Sequence, residues 1–224
     1  MATPILLAWS GGKDCLMALD RLLADPAWKV ESLLTTFDRT SDRVATHDIR
    51  GDVLRAQADA LGLPLIEMRV DGEVANADYE AGLALALDQA RATTPACEVI
   101  AFGDLFLAEV RAWREACLQR FGWKAAFPLW ETPTDELARD FLGRGHRAVV
   151  TTVDLEQLDG AFCGREFDQA FLAELPGAVD PCGENGEFHT LCHDGPLFSS
   201  PMPLEALAKN TRNSRFRCQD FRLR

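Results

Sequence analysis

An apolar run, Ile5-Leu6-Leu7-Ala8-Trp9, stops at Ser10-Gly11-Gly12-Lys13-Asp14-Cys15, and a helical pattern from Leu16 to Leu23 starts directly afterwards. A strand that ends on a glycine pair and turns straight into a helix opens a parallel sheet covered by helices. The same turn is an anion site in principle. Its glycines let backbone N–H groups come close to a phosphate, and the helix dipole favours negative charge there. Ser10 adds a hydroxyl and Lys13 a point charge. Asp14 has no reason to face a bare phosphate, so the turn implies a Mg²⁺ ion between them. An ordinary serine-capped connection has the same local shape, so the rest of the chain has to decide.

The first half goes on alternating. Val30 to Phe37 reads as a strand, and Asp48 to Leu61 as a helix stopped by Gly62. Leu65 to Val70 is a strand, Val74 to Ala92 a long helix, and Glu98 to Phe102 a strand closed by Gly103-Asp104. Leu105 to Phe121 is a helix stopped by Gly122. The expected fold is α/β, a Rossmann-like parallel sheet flanked by helices. Ligands bind beyond the carboxyl ends of such strands. Ser10–Cys15, Thr35–Arg39 and Gly103–Asp104 all fall there, so they are expected to line one crevice. Arg111 and Arg114 share a helix face. They either meet a phosphate or carboxylate, or lie on an exposed face with Trp113 packed into the core.

The second half differs. Thr132-Pro133-Thr134-Asp135-Glu136 reads as a helix start with Pro near its first position, the helix running to about Leu142; Ala148 to Val153 is a strand, and Arg165 to Leu175 reads as a helix stopped by Pro176-Gly177. A boundary near Phe127 divides the chain into residues 1–127 and a smaller α+β domain, 128–224. Composition narrows the function classes. The 224 residues carry a net charge of −12, which argues against generic nucleic-acid binding. The basic end (Lys209, Arg212, Arg215, Arg217, Arg222 and Arg224 against Asp220) reads as a solvated strand face or a docking surface. No apolar run approaches a membrane span, and the start lacks a basic signal region, so no membrane partner is expected. Seven cysteines without C-x-x-C pairs suggest reduced thiols and a cytoplasmic protein.

A second dense segment runs Asp180-Pro181-Cys182-Gly183-Glu184-Asn185-Gly186-Glu187-Phe188-His189-Thr190. Such a concentration of polar groups on a loop suggests binding or catalysis. Cys182, His189, Cys192 and His193 could ligate metal, but their spacing matches no standard zinc pattern.

The first turn is not a Walker A loop, which needs G-x-x-x-x-G-K-[ST]. It resembles the PP-loop, S-G-G-x-D-S, of the ATP pyrophosphatases, with Cys15 in place of the last serine. Four further segments follow it in order. They are Gly103-Asp104 with Arg111-x-Trp113-Arg114-Glu115, then Pro128-Leu129-Trp130, then Gly183 to Thr190, and then Asp194-Gly195-Pro196-Leu197-Phe198. The set resembles the diphthine–ammonia ligase family, whose late G-E-x-G-E-[FY]-H-T motif is far more specific than the PP-loop. Arg43 to Gln57, with His47 ahead of a helix, is similar to that family's second crossover.

The resemblance implies an adenine nucleotide α-hydrolase-like N-terminal domain and a C-terminal domain serving the acceptor. It implies an ATP-dependent amidation with ATP, Mg²⁺ and ammonium. In it a carboxylate is adenylated, releasing pyrophosphate, and ammonia then displaces AMP. The family's acceptor is diphthine, a modified histidine on elongation factor 2. Ser10, Gly11, Gly12 and Lys13 would hold pyrophosphate, Asp14 and more weakly Asp104 the Mg²⁺, and the backbone at Thr36 and Phe37 the adenine, with Cys15 and Gly103 also in the ATP site. Glu184, Asn185, Gly186, Glu187, His189 and Thr190 would face the acceptor or the ammonia. Lys13, Asp14, Glu184, Glu187 and His189 are the catalytic candidates. Three other readings stay open: a small carboxylic acid as acceptor, action on tRNA, and a non-catalytic ATP-binding regulator.

Overall fold

The computed structural model describes residues 1–44, 47–71 and 76–224. The chain forms two compact units that interleave in sequence. One holds Met1–Ser10, Asp14–Val44 and the described part of 63–130. The other holds Gly11–Lys13, 47–62 and Glu131–Arg224. Position in the sequence places 47–62 with the nucleotide half, but in space they cluster with the C-terminal residues.

The first unit is built on a mainly parallel sheet. Strand β1 (Thr3–Ala8) pairs in parallel with β2 (Trp28–Asp38) on one side and with β5 (Val99–Ala101) on the other. β2 also pairs in parallel with β4 (Leu65–Val70), β5 with β6 (Lys124–Ala126), and a two-residue strand, β3 (Arg43–Val44), lies antiparallel at the end of β2. β1 is central, which explains why it reads as a continuous apolar run rather than an alternation. Ile5, Leu6 and Leu7 are at most 1% exposed, and each such residue contributes about 1.5–3 kcal/mol by burial. Leu6 joins a core formed with Leu34, Met68, Ile100, Leu83 and Leu87 of helix α3 (Asn76–Thr93), and Cys117 and Leu118 of α4 (Ala108–Gln119). Helix α1 (Lys13–Ala24) follows β1 after the glycine turn. The expected start of α3 at Val74 lies outside the described residues.

The second unit carries an antiparallel sheet in the order β8-β7-β10-β9, made of β7 (Arg147–Asp154), β8 (Phe188–Asp194), β9 (Leu204–Arg212) and β10 (Phe216–Leu223). β9 and β10 are joined through Asn213 and Ser214, both at positive φ (51° and 54°), with Arg215 N–H donating to the Arg212 carbonyl. Two left-handed central residues give the turn a twist that suits the flanking strands. Helix α2 (Gly51–Leu61) packs on β10 and is tied to it by the Arg50–Asp220 pair at 2.6 Å. Helix α5 spans Thr134–Gly143.

Three expected helices start later than their patterns suggest. α2, expected from Asp48, begins at Gly51, with Asp48 at φ +57° and Arg50 extended at its cap. Leu105 to Leu107 stay outside α4, with Leu107 extended at its cap. The helix expected from Arg165 is only Gln169–Glu174, here α6, capped by the Asp168 side chain. Residues 165–167 instead run along β7. Glu166 bridges Val149, Val150 N–H donates to the Arg165 carbonyl, and Phe167 N–H to the Ala148 carbonyl. This extended stretch seats Phe167 in an aromatic core with Phe141, Phe171 and Phe188, where two ring pairs meet edge to face (82° for Phe141–Phe167, 71° for Phe171–Phe188) and two are tilted (48° for Phe167–Phe171, 34° for Phe167–Phe188). Tertiary packing overrides a weak local helix signal here. No helix among the described residues is long and apolar enough to cross a membrane.

The basic tail is largely absorbed by its own unit. Arg215 pairs with Asp154 and Glu156, Arg222 with Glu205, Arg212 with Asp48 at 3.7 Å, and Asp220 with Arg50.

Candidate functional site

In the first unit the carboxyl ends of β1, β2 and β5 lie side by side, so Ser10, Thr36 and Gly103 share one edge of the sheet. Trp9 N–H donates to the Leu34 carbonyl and the Thr35 hydroxyl to the Trp9 carbonyl (2.7 Å), which fixes where β1 ends. Ser10 Oγ sits 3.6 Å from Cys15 Sγ across the turn. Gly103 abuts the first turn of α1. A Cβ there would stand 2.9 Å from the Asp14 carbonyl carbon and 3.0 Å from the Cys15 nitrogen. Both are backbone atoms that cannot swing aside, so only glycine fits.

Asp104 carries its own counter-ion. Arg114 approaches both carboxylate oxygens (Nε–Oδ2 2.9 Å, Nη2–Oδ1 3.2 Å) and lies 4.3 Å over the Phe102 ring. The Nε contact is off-axis for a hydrogen bond, so it acts through charge. A carboxylate already neutralised in this way is a poor metal ligand. Asp14 is an acidic residue in the first turn of α1. Phe37 is fully buried under Arg69, leaving its backbone rather than its ring for a base. Tyr79 hydrogen-bonds Thr36, and burial raises its pKa. Arg111 stacks on Phe127 (4.9 Å) and Trp130 (4.6 Å). Trp113, whose packing into the core was one of the two sequence readings, is 39% exposed and leans on Tyr79.

In the second unit, the Gly11–Lys13 turn is held by β8 and α2. The Gly11 carbonyl accepts from Cys192 N–H (2.9 Å) and from Gln57 Nε2 (3.0 Å), and Gln57 also donates to the Cys192 carbonyl. Lys13 N–H donates to the Thr190 hydroxyl at 3.0 Å. The Lys13 ammonium, expected on a phosphate, donates to the Cys182 carbonyl and faces the rings of Phe167 and Phe188.

The acidic loop is organised from within. Asp180 Oδ1 accepts from the N–H groups of Cys182 and Glu184. Gly183 has φ +71°, and a Cβ on it would meet the Phe188 carbonyl oxygen at 2.7 Å, so the residue has to be glycine. Glu187 is 2% exposed. Its Oε1 accepts from Asp180 N–H (2.9 Å) and Asn185 Nδ2 (3.0 Å), while its buried Oε2 has no hydrogen-bond partner among the described residues. A buried carboxylate oxygen without a donor is costly and suits a small cationic or donor ligand. Glu184 is partly buried, and Asn185 is exposed.

Two imidazoles stand beside the loop. His47 and His189 face each other at 4.5 Å. Burial, opposed by the hydrogen bond to the Thr190 carbonyl 3.4 Å away and aided by the Lys13 charge, holds the His47 pKa down at about 4. His189 is held well below its ordinary value by burial, then by His47, Lys13 and Arg212. Both are neutral imidazoles at pH 7. No cluster of three or more metal-ligating side chains occurs among the described residues.

Asp154 anchors the loop from β7. Its N–H donates to the Glu187 carbonyl, and its carboxylate takes Arg215 in a fork (2.9 and 2.6 Å) together with Gln157. The Arg215 hydrogen bonds bring its pKa down from 3.8 to about 2, against burial, which would raise it. A carboxyl with a depressed folded pKa stabilises the fold above its unfolded pKa, and that stability is lost as pH falls through the folded one. Thermal melts of wild type should therefore lose stability between about pH 4 and pH 2 more steeply than those of Asp154→Asn. Equal slopes would contradict the pairing.

The turn, the strand ends and the loop are legible in the sequence. Asp154 is not, because it belongs to no motif and its partner Arg215 lies far along the chain. Gln57 and His47 stand out only as part of the Arg43–Gln57 crossover.

Two family models match this chain. The diphthamide synthase N-terminal domain covers residues 3–125 and the diphthamide synthase C-terminal domain residues 133–216. The chain is 26% identical over 166 residues to the diphthine–ammonia ligase of Schizosaccharomyces pombe. That match takes in 68% of this chain but only 27% of the yeast protein. Among solved structures it is similar to the U34-tRNA thiolase NcsA of Methanococcus maripaludis, with 15% identity, a TM-score of 0.39, and coverage of 63% of this chain and 57% of that one. Matched through both domains over most of its length, the chain belongs to the diphthamide synthase family, that of the diphthine–ammonia ligases.

Proposed function

We propose that this protein is an AMP-forming ligase that uses ATP to activate a carboxylate and amidates it with ammonia. The observation that carries this reading is the Ser10–Cys15 turn, which sits at the carboxyl end of a central parallel strand, opens a helix, and is abutted by a glycine that leaves no room for a side chain. The family membership supports it. Residues 1–127 would form the ATP-binding domain and 128–224 the acceptor domain.

The Ser10 hydroxyl and the N–H groups of Gly11 and Gly12 would hold the pyrophosphate, with Cys15 closing the turn. The backbone at Thr36 and Phe37, beside Gly103, would receive the adenine. One carboxylate plus phosphate oxygens is a sufficient protein share for Mg²⁺; Asp14 is proposed for that part, with Asp104 the weaker candidate. The ion would supply charge neutralisation at the phosphates.

In the first step a carboxylate oxygen bonds to the α-phosphorus and pyrophosphate leaves. In the second the ammonia nitrogen bonds to the acyl carbon, AMP leaves, and one proton passes to a base. Glu187 is the proposed proton acceptor through its Oε2, which has no hydrogen-bond partner among the described residues, while Glu184, Asn185, Gly186, His189 and Thr190 would border the acceptor. The acceptor is proposed to be diphthine on elongation factor 2, in a cytoplasmic setting that suits seven buried cysteines, none of them in a disulfide.

Calorimetry tests the nucleotide half of this reading. Wild type should bind ATP only with Mg²⁺, and Asp14→Ala should weaken that binding by about tenfold or more. Equal, Mg²⁺-independent binding by both proteins would remove Asp14 from the site.

A further inference from the structure

Lysine is almost never fully buried without a partner, yet Lys13 is 3% exposed. Its ammonium donates to the Cys182 carbonyl and lies 5.7 and 5.4 Å from the ring centres of Phe167 and Phe188. Both rings are 2% exposed. Its own N–H donates to the Thr190 hydroxyl. One residue thus holds the 182–190 segment at three points: the Cys182 carbonyl, the Phe188 ring face and the Thr190 hydroxyl. A carbonyl and two π faces converging on one point are a receptor for a cation, and they explain a lysine where an apolar side chain of similar length would fill the same space. A phosphate ligand would instead need its head group outside the turn.

We infer that Lys13 is a positioning residue, whose ammonium fixes the Cys182–Thr190 loop against the glycine turn while the phosphates are left to Ser10, Gly11 and Gly12. The phosphate half of this inference rests on the ligase reading, and the loop half does not.

Three readouts test it. The four histidines can be followed by NMR titration, and His47 and His189 both sense Lys13. Lys13→Met should move both titrations upward. Saturating Mg²⁺–ATP on wild type should leave them where they are. If ATP moves them to the Lys13→Met positions, the ammonium has swung to the phosphates and the inference is overturned.

Amides of 182–190 should exchange about tenfold faster in Lys13→Met, with Lys13→Arg restoring protection. Unchanged exchange overturns the loop half. The ATP dissociation constant of Lys13→Met should stay within about threefold of wild type, and a rise of about thirtyfold overturns the phosphate half. Wild type that binds no ATP at all sinks the ligase reading alone, and the exchange data still decide the loop half. If Lys13→Met does not fold, the wild-type titration decides alone: unmoved His47 and His189 support the inference, and an upward shift of both on adding Mg²⁺–ATP overturns it.

Discussion

Glu187→Gln is expected to lower the proposed ammonium-dependent AMP formation by about a hundredfold while ATP affinity and melting temperature stay near those of wild type. The size follows from the usual loss when a positioned proton acceptor is removed, about 10²–10⁴-fold. The geometry explains why the fold survives. Glutamine keeps an Oε1 that can accept from Asp180 N–H and Asn185 Nδ2, the two bonds that shape the loop. What changes is the buried Oε2, which has no partner among the described residues and becomes an NH₂ that can neither bind ammonium nor take a proton. Steady-state assays at varied ammonium concentration check this. Full retention of activity would assign Glu187 a structural part only.

Gly103→Ala is expected to be the most damaging single methyl in the first unit. The added Cβ meets the Asp14 carbonyl carbon at 2.9 Å, the Cys15 nitrogen at 3.0 Å and the Asp14 oxygen at 3.1 Å. No flexible side chain is available to yield, so β5 or the start of α1 must shift. Overpacking of this kind costs about 1–3 kcal/mol. Displacing the first turn of α1 should also weaken Mg²⁺–ATP binding by about tenfold or more. Thermal melts with calorimetry check both. A variant with wild-type stability and affinity would show that the strand end and the helix start are not in the contact described. Gly143 is a suitable control, since a Cβ there meets nothing within 4 Å.

The fold was legible where its signals were local. β1 shows as an apolar run because it is central, Gly62 stops α2 in a left-handed conformation, and β4 shows between Pro64 and Val70. The strand β6 did not show, since Lys124-Ala125-Ala126 is short and carries no alternation of its own. The helix expected from Arg165 failed because Phe167 is recruited to an aromatic core that only the folded chain assembles. At the site, chemistry concentrated in motifs could be read. Contacts spanning long separations could not: Lys13 with Cys182, Gln57 with Cys192, Asp154 with Arg215. The arginines of the last strands could be counted in the sequence, but their carboxylate partners, among them Asp48, Asp154 and Glu205, are brought to them only by folding.

The central claim is the bond at which ATP is cut. Protein supplied with Mg²⁺, ATP labelled at the α-phosphate, ammonium and diphthine-bearing elongation factor 2 should release label as AMP, with an equal amount of pyrophosphate, and only when ammonium and acceptor are both present. Label recovered as ADP, with free phosphate, would contradict the account.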